Sequence, residues 1–222
     1  MGFFQPDAGY GDDLGAHGVS ADLDQVCAAI AAHSTAPGAR MLVAVAGPPG
    51  AGKSTLAEAL ASRIEGAAVV PMDGFHLDNS ILAARGLTAR KGAPETFDVA
   101  GFAALLARLK TEPEVVIPLF DRMRDAAVAG AAVIGPADRV LIIEGNYLLL
   151  DEAPWHALAP LWDLTVQIAV PLPVLEARLI ARWRELGHSD EAAKARALGN
   201  DIPNAQRVLA GSAKADLVVA QG

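Results

Sequence analysis

Eight consecutive residues constrain this chain more than any others: Gly47-Pro48-Pro49-Gly50-Ala51-Gly52-Lys53-Ser54. A short apolar run, 41–46, precedes them, and an Ala-, Leu- and Glu-rich stretch, 53–65, follows. Glycines spaced in this way and closed by Lys and Ser let backbone N–H groups wrap a phosphate without Cβ clashes. A helix starting at Lys53 adds the positive end of its dipole at the same point. The pattern predicts a buried strand, a phosphate-cradling turn and a helix. Lys53 then reaches the outer phosphates of a nucleotide, Ser54 ligates Mg²⁺, and Thr55 follows in the first helical turn. An accidental Gly-rich turn is the plain alternative. The strand before it and the helix after it argue against that.

Further strand-like runs lie at 67–72, 114–119, 139–143, 164–170 and 216–220, with helical patterns at 99–110 and 173–186 between some of them. Apolar strands alternating with helices predict an α/β fold with a mainly parallel central sheet and helices on both faces. Ser20 is placed to cap a helix carrying Leu23, Val26, Cys27 and Ile30, which Pro37-Gly38 ends. Residues 1–19, rich in Gly and Asp, are expected to be frayed, and 20–222 to form one domain.

With 222 residues, 52% hydrophobic and 20% charged, the chain has ample material for a core. A net charge of −8 argues against a nucleic-acid or anionic-membrane partner, both of which need excess positive charge. The single cysteine, Cys27, makes no intrachain disulfide. No secretory signal or run long enough to span a bilayer is present, so a cytoplasmic protein is expected.

Two apolar runs end in acids, Asp73 and Glu144. Ligands of open α/β sheets bind beyond the carboxyl ends of the strands, so both acids are expected to face the phosphate turn. Two carboxylates beside one triphosphate call for a cation between them. Glu144 reads as the holder of Mg²⁺ or its waters. Asp73 reads as the acceptor of a proton from an attacking hydroxyl, also near the metal. Capping the next turn is the plain alternative for either acid alone.

The phosphate turn, Met72-Asp73-Gly74-Phe75-His76, the segment 90–98 (RKGAPETFD) and Ile143-Glu144-Gly145-Asn146 occur in that order. Over roughly 41–209 the chain resembles the phosphoribulokinase, uridine kinase and bacterial pantothenate kinase family of P-loop kinases. It is most similar to a branch often labelled fructose transport system kinase. The resemblance implies a three-layer P-loop NTPase fold with a helical lid at about 172–188. It also implies ATP-dependent phosphorylation of a hydroxyl on a small metabolite, with ATP and Mg²⁺ as cofactors and a homodimer as a common assembly. The family's catalytic aspartate falls on Asp73 and its metal-binding glutamate on Glu144. One segment departs from the family: where pantothenate kinases carry Pro-x-Tyr-Ser-His, this chain has Pro118-Leu119-Phe120-Asp121-Arg122. That puts pantothenate in doubt as the acceptor and brings Arg122 into the candidate pocket. His76 is placed to hydrogen-bond a substrate hydroxyl, and Tyr147 is a further pocket candidate.

In the 173–186 helix, Leu175, Leu179 and Leu186 mark a buried stripe. At roughly 100° per residue Arg182 falls inside that arc and Arg178 at its edge. An inward arginine needs an anion, and the resemblance implies an arginine-bearing lid closing over the triphosphate. Snorkelling, or pairing with Glu176 and Glu185, is the alternative. Arg90 and Lys91 either meet phosphate or substrate or form a solvated charge pair. The segment 200–204 reads as a turn entering a final helix, with Asn200 or Asp201 as its cap or near the adenine. A GTPase switch is a poor reading, because no asparagine is followed by lysine. An ATP-binding regulatory protein without turnover stays open.

Overall fold

The structure is a computed structural model and describes residues 18–33 and 38–221. The expected frayed segment up to residue 17, and Pro37, lie outside the described residues. In chain order the regular elements begin with β1 (Val19–Ser20), α1 (Leu23–Ala32), β2 (Met41–Ala46), α2 (Lys53–Arg63) and β3 (Ala67–Pro71). Then come α3 (Asn79–Ala84), α4 (Val99–Thr111), β4 (Val115–Asp121), β5 (Ala126–Ile134) and β6 (Val140–Gly145). The chain closes with β7 (Leu164–Ala169), α5 (Leu172–Glu185), α6 (Asp190–Arg196), α7 (Ile202–Gly211) and β8 (Leu217–Ala220).

Six strands form a parallel sheet in the order β1-β8-β7-β2-β6-β3. Every residue of β2 is buried, because the strand is central and covered on both faces. Leu42, Ala44 and Ala46 join one core with Phe102 and Leu106 of α4 and with Trp155. Met41, Val43 and Val45 join the other with Val26 and Ile30 of α1, Leu60 of α2, and Leu175 and Leu179 of α5. Alternate side chains of one strand thus feed two helical layers, which gives the three-layer α/β fold. Truncating a fully buried Leu such as Leu42 to Ala costs about 2–5 kcal/mol.

Three expectations need correction. Ser20 does not cap α1: it pairs with Val218 in the sheet edge. The cap is Asp22, which forms a reciprocal capping box with Gln25. The 114–119 run is not a strand of the parallel sheet. As β4 it pairs antiparallel with β5, a strand that sequence reasoning did not propose, in a separate two-stranded hairpin. Finally, neither Asn200 nor Asp201 caps α7. Residues Ala197–Asp201 form a π-helical turn that runs on into α7, and Asp201 makes no side-chain capping bond.

The hairpin is anchored at its base by Arg40. This buried guanidinium donates to the carbonyls of Leu109, Glu112, Pro113, Gly135 and Asp138 at 2.6–3.0 Å. Pro113 precedes β4 and Gly135 follows β5, so one side chain clamps both ends. The far end then projects over the sheet's carboxyl edge.

Candidate active site

The ends of β2, β3 and β6 converge on one cleft. Register places Glu144 between Val45 and Pro71, directly before the phosphate turn on one side and the Met72–Phe75 3₁₀ turn on the other. Gly52 holds φ +88 at the start of α2, a left-handed conformation that favours glycine, and no side chain caps this helix. The uncapped first-turn N–H groups are the anion-binding end of α2.

Gly74 has a different reason to be glycine. A Cβ there would collide with the Pro118 carbonyl of β4. The missing side chain lets the hairpin settle onto the Asp73 turn, which brings Arg122 over Asp73.

Two cavities meet in the cleft. The first, about 210 Å³, is lined by Pro49, Gly50, Gly52, Lys53, Ser54, Thr55, Glu144 and Gly145. The second, about 160 Å³, is lined by His76, Lys91, Gly92, Phe97, Phe120, Asp125, Trp183, Arg196, Asp201 and Asn204. Pro49, Asp73, Arg122, Asn146 and Arg182 line both. Asp73 is the one carboxylate on the shared wall.

The electrostatics follow from burial. Lys53 is buried, and its Nζ donates to the Pro48 carbonyl at 3.0 Å. Desolvation pulls its pKa down to about 8, against the opposing pull of Glu144 and Asp73. Glu144 is 8% exposed. Burial pushes its carboxyl above the usual range, with Lys53 holding it down and Asp73 pushing it further up. Burial also holds His76 below the usual histidine value. Asp201 accepts from Trp183 Nε1 at 2.6 Å, and burial raises its pKa.

Ser54, Asp73 and Glu144 offer hard oxygen donors around one cavity, which fits Mg²⁺. Among the described residues no group of three or more His, Cys, Asp or Glu side chains is arranged to hold a metal. That is the donor set expected where an ion takes one or two carboxylates and completes its shell with substrate phosphates and water.

The structure thus brings together Pro49, Gly50, Gly52, Lys53, Ser54, Thr55, Asp73, His76, Arg122, Glu144 and Arg182. Gly47, Pro48 and Ala51 shape the turn without lining a cavity. Arg178 is half-buried and lines neither cavity, and Arg184 pairs with Asp190 at 2.8 Å. Tyr147 lies behind the pocket wall: it is fully buried and its hydroxyl donates to the Gly92 carbonyl at 2.5 Å. Arg90 also faces away from the cavities. Its Nη1 donates to Asn200 at 2.9 Å and its Nη2 to Asn204 at 3.1 Å. Asn200 in turn donates to the Lys91 carbonyl. Sequence reasoning missed Asn146, Asp125, Trp183 and Arg196. Asn146 stood next to Glu144 in a motif already marked; the other three carry no local signal.

A model of the phosphoribulokinase / uridine kinase family matches residues 42–222. The chain belongs to that family. An uncharacterized protein of Escherichia coli K12, YggC, is 40% identical over 190 residues, covering 82% of this chain and 78% of its own. A Schizosaccharomyces pombe protein named "Putative uridine kinase C227.14" is 35% identical over 200 residues, covering 82% and 83%. Among solved structures, a "putative fructose transport system kinase" from Silicibacter sp. TM1040 superposes with a TM-score of 0.86 at 49% identity, covering 90% of this chain and 99% of that one. Membership in the phosphoribulokinase / uridine kinase family makes this an ATP-dependent small-molecule kinase of the P-loop type. Among the described residues no helix is long and apolar enough to cross a membrane.

Proposed function

We propose that the protein transfers the γ-phosphoryl group of ATP to a hydroxyl of a small metabolite, with a sugar such as fructose the first acceptor to test. Residues 20–222 act as one kinase domain and 172–188 as its lid. The observation that carries this reading is Asp73, the only carboxylate lining both cavities. A triphosphate fits the cavity over the uncapped end of α2, and an acceptor fits the other. Their reacting atoms then meet at Asp73.

In that arrangement the acceptor oxygen forms a bond to the γ-phosphorus as the bond to the β–γ bridging oxygen breaks. The hydroxyl proton passes to the Asp73 carboxylate, and ADP leaves. Lys53 and Arg182 face the charge that builds on the phosphates, and the α2 N-terminus holds them in place. Arg182, on the lid helix, also excludes water when the lid closes. Ser54 and Glu144, with Asp73 beside them, would hold Mg²⁺, which supplies charge neutralisation across the outer phosphates when bound.

The test is ADP release from Mg-ATP with a panel of sugars, nucleosides, pantothenate and ribulose 5-phosphate, with Asp73→Asn as the blank. The expected result is one acceptor giving a phosphorylated product, with a loss of about 10²–10⁴-fold in the variant and ATP binding kept. ADP release that needs no acceptor, or that survives in Asp73→Asn, overturns the reading.

A further inference from the structure

His76 forms one wall of the acceptor-side cavity, and its ring is fixed from several directions. Phe97 and Phe120 flank it, with ring centroids 4.1 and 4.6 Å away. The backbone of His76 bridges to Phe97 and donates its N–H to the Asp73 carbonyl. Ring Nδ1 lies 2.8 Å from that same carbonyl oxygen.

A carbonyl oxygen only accepts, so Nδ1 must carry the ring proton. In the neutral ring Nε2 is then a bare lone pair. Among the described residues no donor takes it. Lys91, which lines the same cavity, is already saturated: Nζ meets Asn79 Oδ1 at 2.7 Å, the Asp125 carbonyl at 2.7 Å and Asp125 Oδ2 at 2.8 Å. An ammonium has three protons, and all three are engaged.

We infer that His76 Nε2 accepts a hydrogen bond from the phosphoryl acceptor, so the acceptor is a diol or polyol. One hydroxyl gives its proton to Asp73 and a second donates to His76. The inference rests on the kinase reading above. A substrate with a single hydroxyl would dry out Nε2 and leave it unpaired, which a site of this kind rejects. His76 therefore selects for the number and placement of hydroxyls, while Asp73 serves the chemistry.

Two measurements test this at pH 8. In the first, two-bond ¹H–¹⁵N correlation on histidine-labelled protein reads the tautomer without any substrate. The His76 signals are those that vanish in His76→Gln. The Nδ1–H form is expected, and an Nε2–H form overturns the inference.

In the second, ADP release is compared for matched acceptors, fructose, uridine and pantothenate each against its mono-deoxy forms. Wild type should prefer the fully hydroxylated member of the productive pair by roughly tenfold or more in kcat/KM. His76→Phe keeps the ring packing and should erase that preference by raising KM for the hydroxylated member alone. His76→Gln, whose amide oxygen reaches the Nε2 position, should restore much of it. KM for ATP should be unchanged in both variants. Equal losses on both members of the pair, or no loss, overturn the inference while Asp73-dependent turnover keeps the kinase reading. ADP release that no acceptor raises sinks the kinase reading itself.

Discussion

Arg122 Nη2 stands 4.0 Å from Asp73 Oδ2, across the gap between the hairpin tip and the 3₁₀ turn. The pair is loose, with the arginine side chain 64% exposed, so it contributes little to folding. Its position on the wall of both cavities suits it to the phosphoryl group in transit. Arg122→Ala should lower kcat roughly a hundredfold and leave the thermal midpoint within about a degree. Steady-state kinetics and thermal denaturation on the same preparation check both halves. A fall in midpoint with normal kcat would make Arg122 a structural residue.

Gly74→Ala forces a methyl group against the Pro118 carbonyl, and that backbone has little room to yield. The expected cost is about 1–3 kcal/mol of stability, with activity lost because the hairpin is lifted off Asp73. Gly199→Ala is the control, since its Cβ would meet nothing within 4 Å. Denaturant unfolding of both variants tests this, and equal midpoints would refute the close approach.

Lys53 links ATP affinity to pH. Its pKa in the free protein is about 8, and a bound triphosphate raises it. Above pH 8 binding therefore takes up a proton, and affinity falls by up to about tenfold per pH unit until the bound value is reached. Below about pH 7 this group contributes no slope. Stability runs the opposite way. The folded value lies below the unfolded one of about 10.5, so the cost of burying charged Lys53 is full at neutral pH and is lifted between about 8 and 10.5. Calorimetry of a non-hydrolysable ATP analogue at pH 8.5, in two buffers of different ionisation enthalpy, counts the proton. Lys53→Arg should remove the uptake, and its persistence would assign the proton elsewhere.

Arg90→Ala leaves the buried amide oxygens of Asn200 and Asn204 without their charged donor. The expected loss is about 1–3 kcal/mol of stability. KM for the acceptor should rise and KM for ATP should not, because Asn204 and Lys91 line only the acceptor-side cavity. Arg90→Lys should rescue little, since a point charge cannot span two amides as the guanidinium fork does. An unchanged acceptor KM in Arg90→Ala would detach this strut from the pocket.

The phosphate turn was legible because its chemistry is local: glycines, Lys53 and Ser54 sit side by side between a buried strand and a helix. Asp73 and Glu144 were legible because parallel strands deliver their carboxyl ends to one edge. The hairpin was not. Its second strand is mostly Ala, Gly and Val, short apolar residues with weak preference for a strand. Nothing in 114–119 distinguishes an antiparallel partner from a sheet strand either. Asn200 read as a cap because Asn often caps. Its actual partners, Arg90 and the Lys91 carbonyl, lie over a hundred residues away, beyond any local pattern. Arg90 itself was singled out for a pocket that it frames from behind.

The hairpin of β4 and β5 shares no hydrogen-bonded ladder with the sheet that carries the nucleotide turn. Yet Phe120, Arg122 and Asp125, all on the acceptor side, ride on it. The two halves of the reaction are thus written on separable pieces of chain. Drift or directed diversification confined to 119–126 can exchange one acceptor for another while the ATP-handling engine stays untouched. Chimeras within the family should therefore swap preference at this hairpin, provided that Gly74 below it and Arg40 at its root are retained.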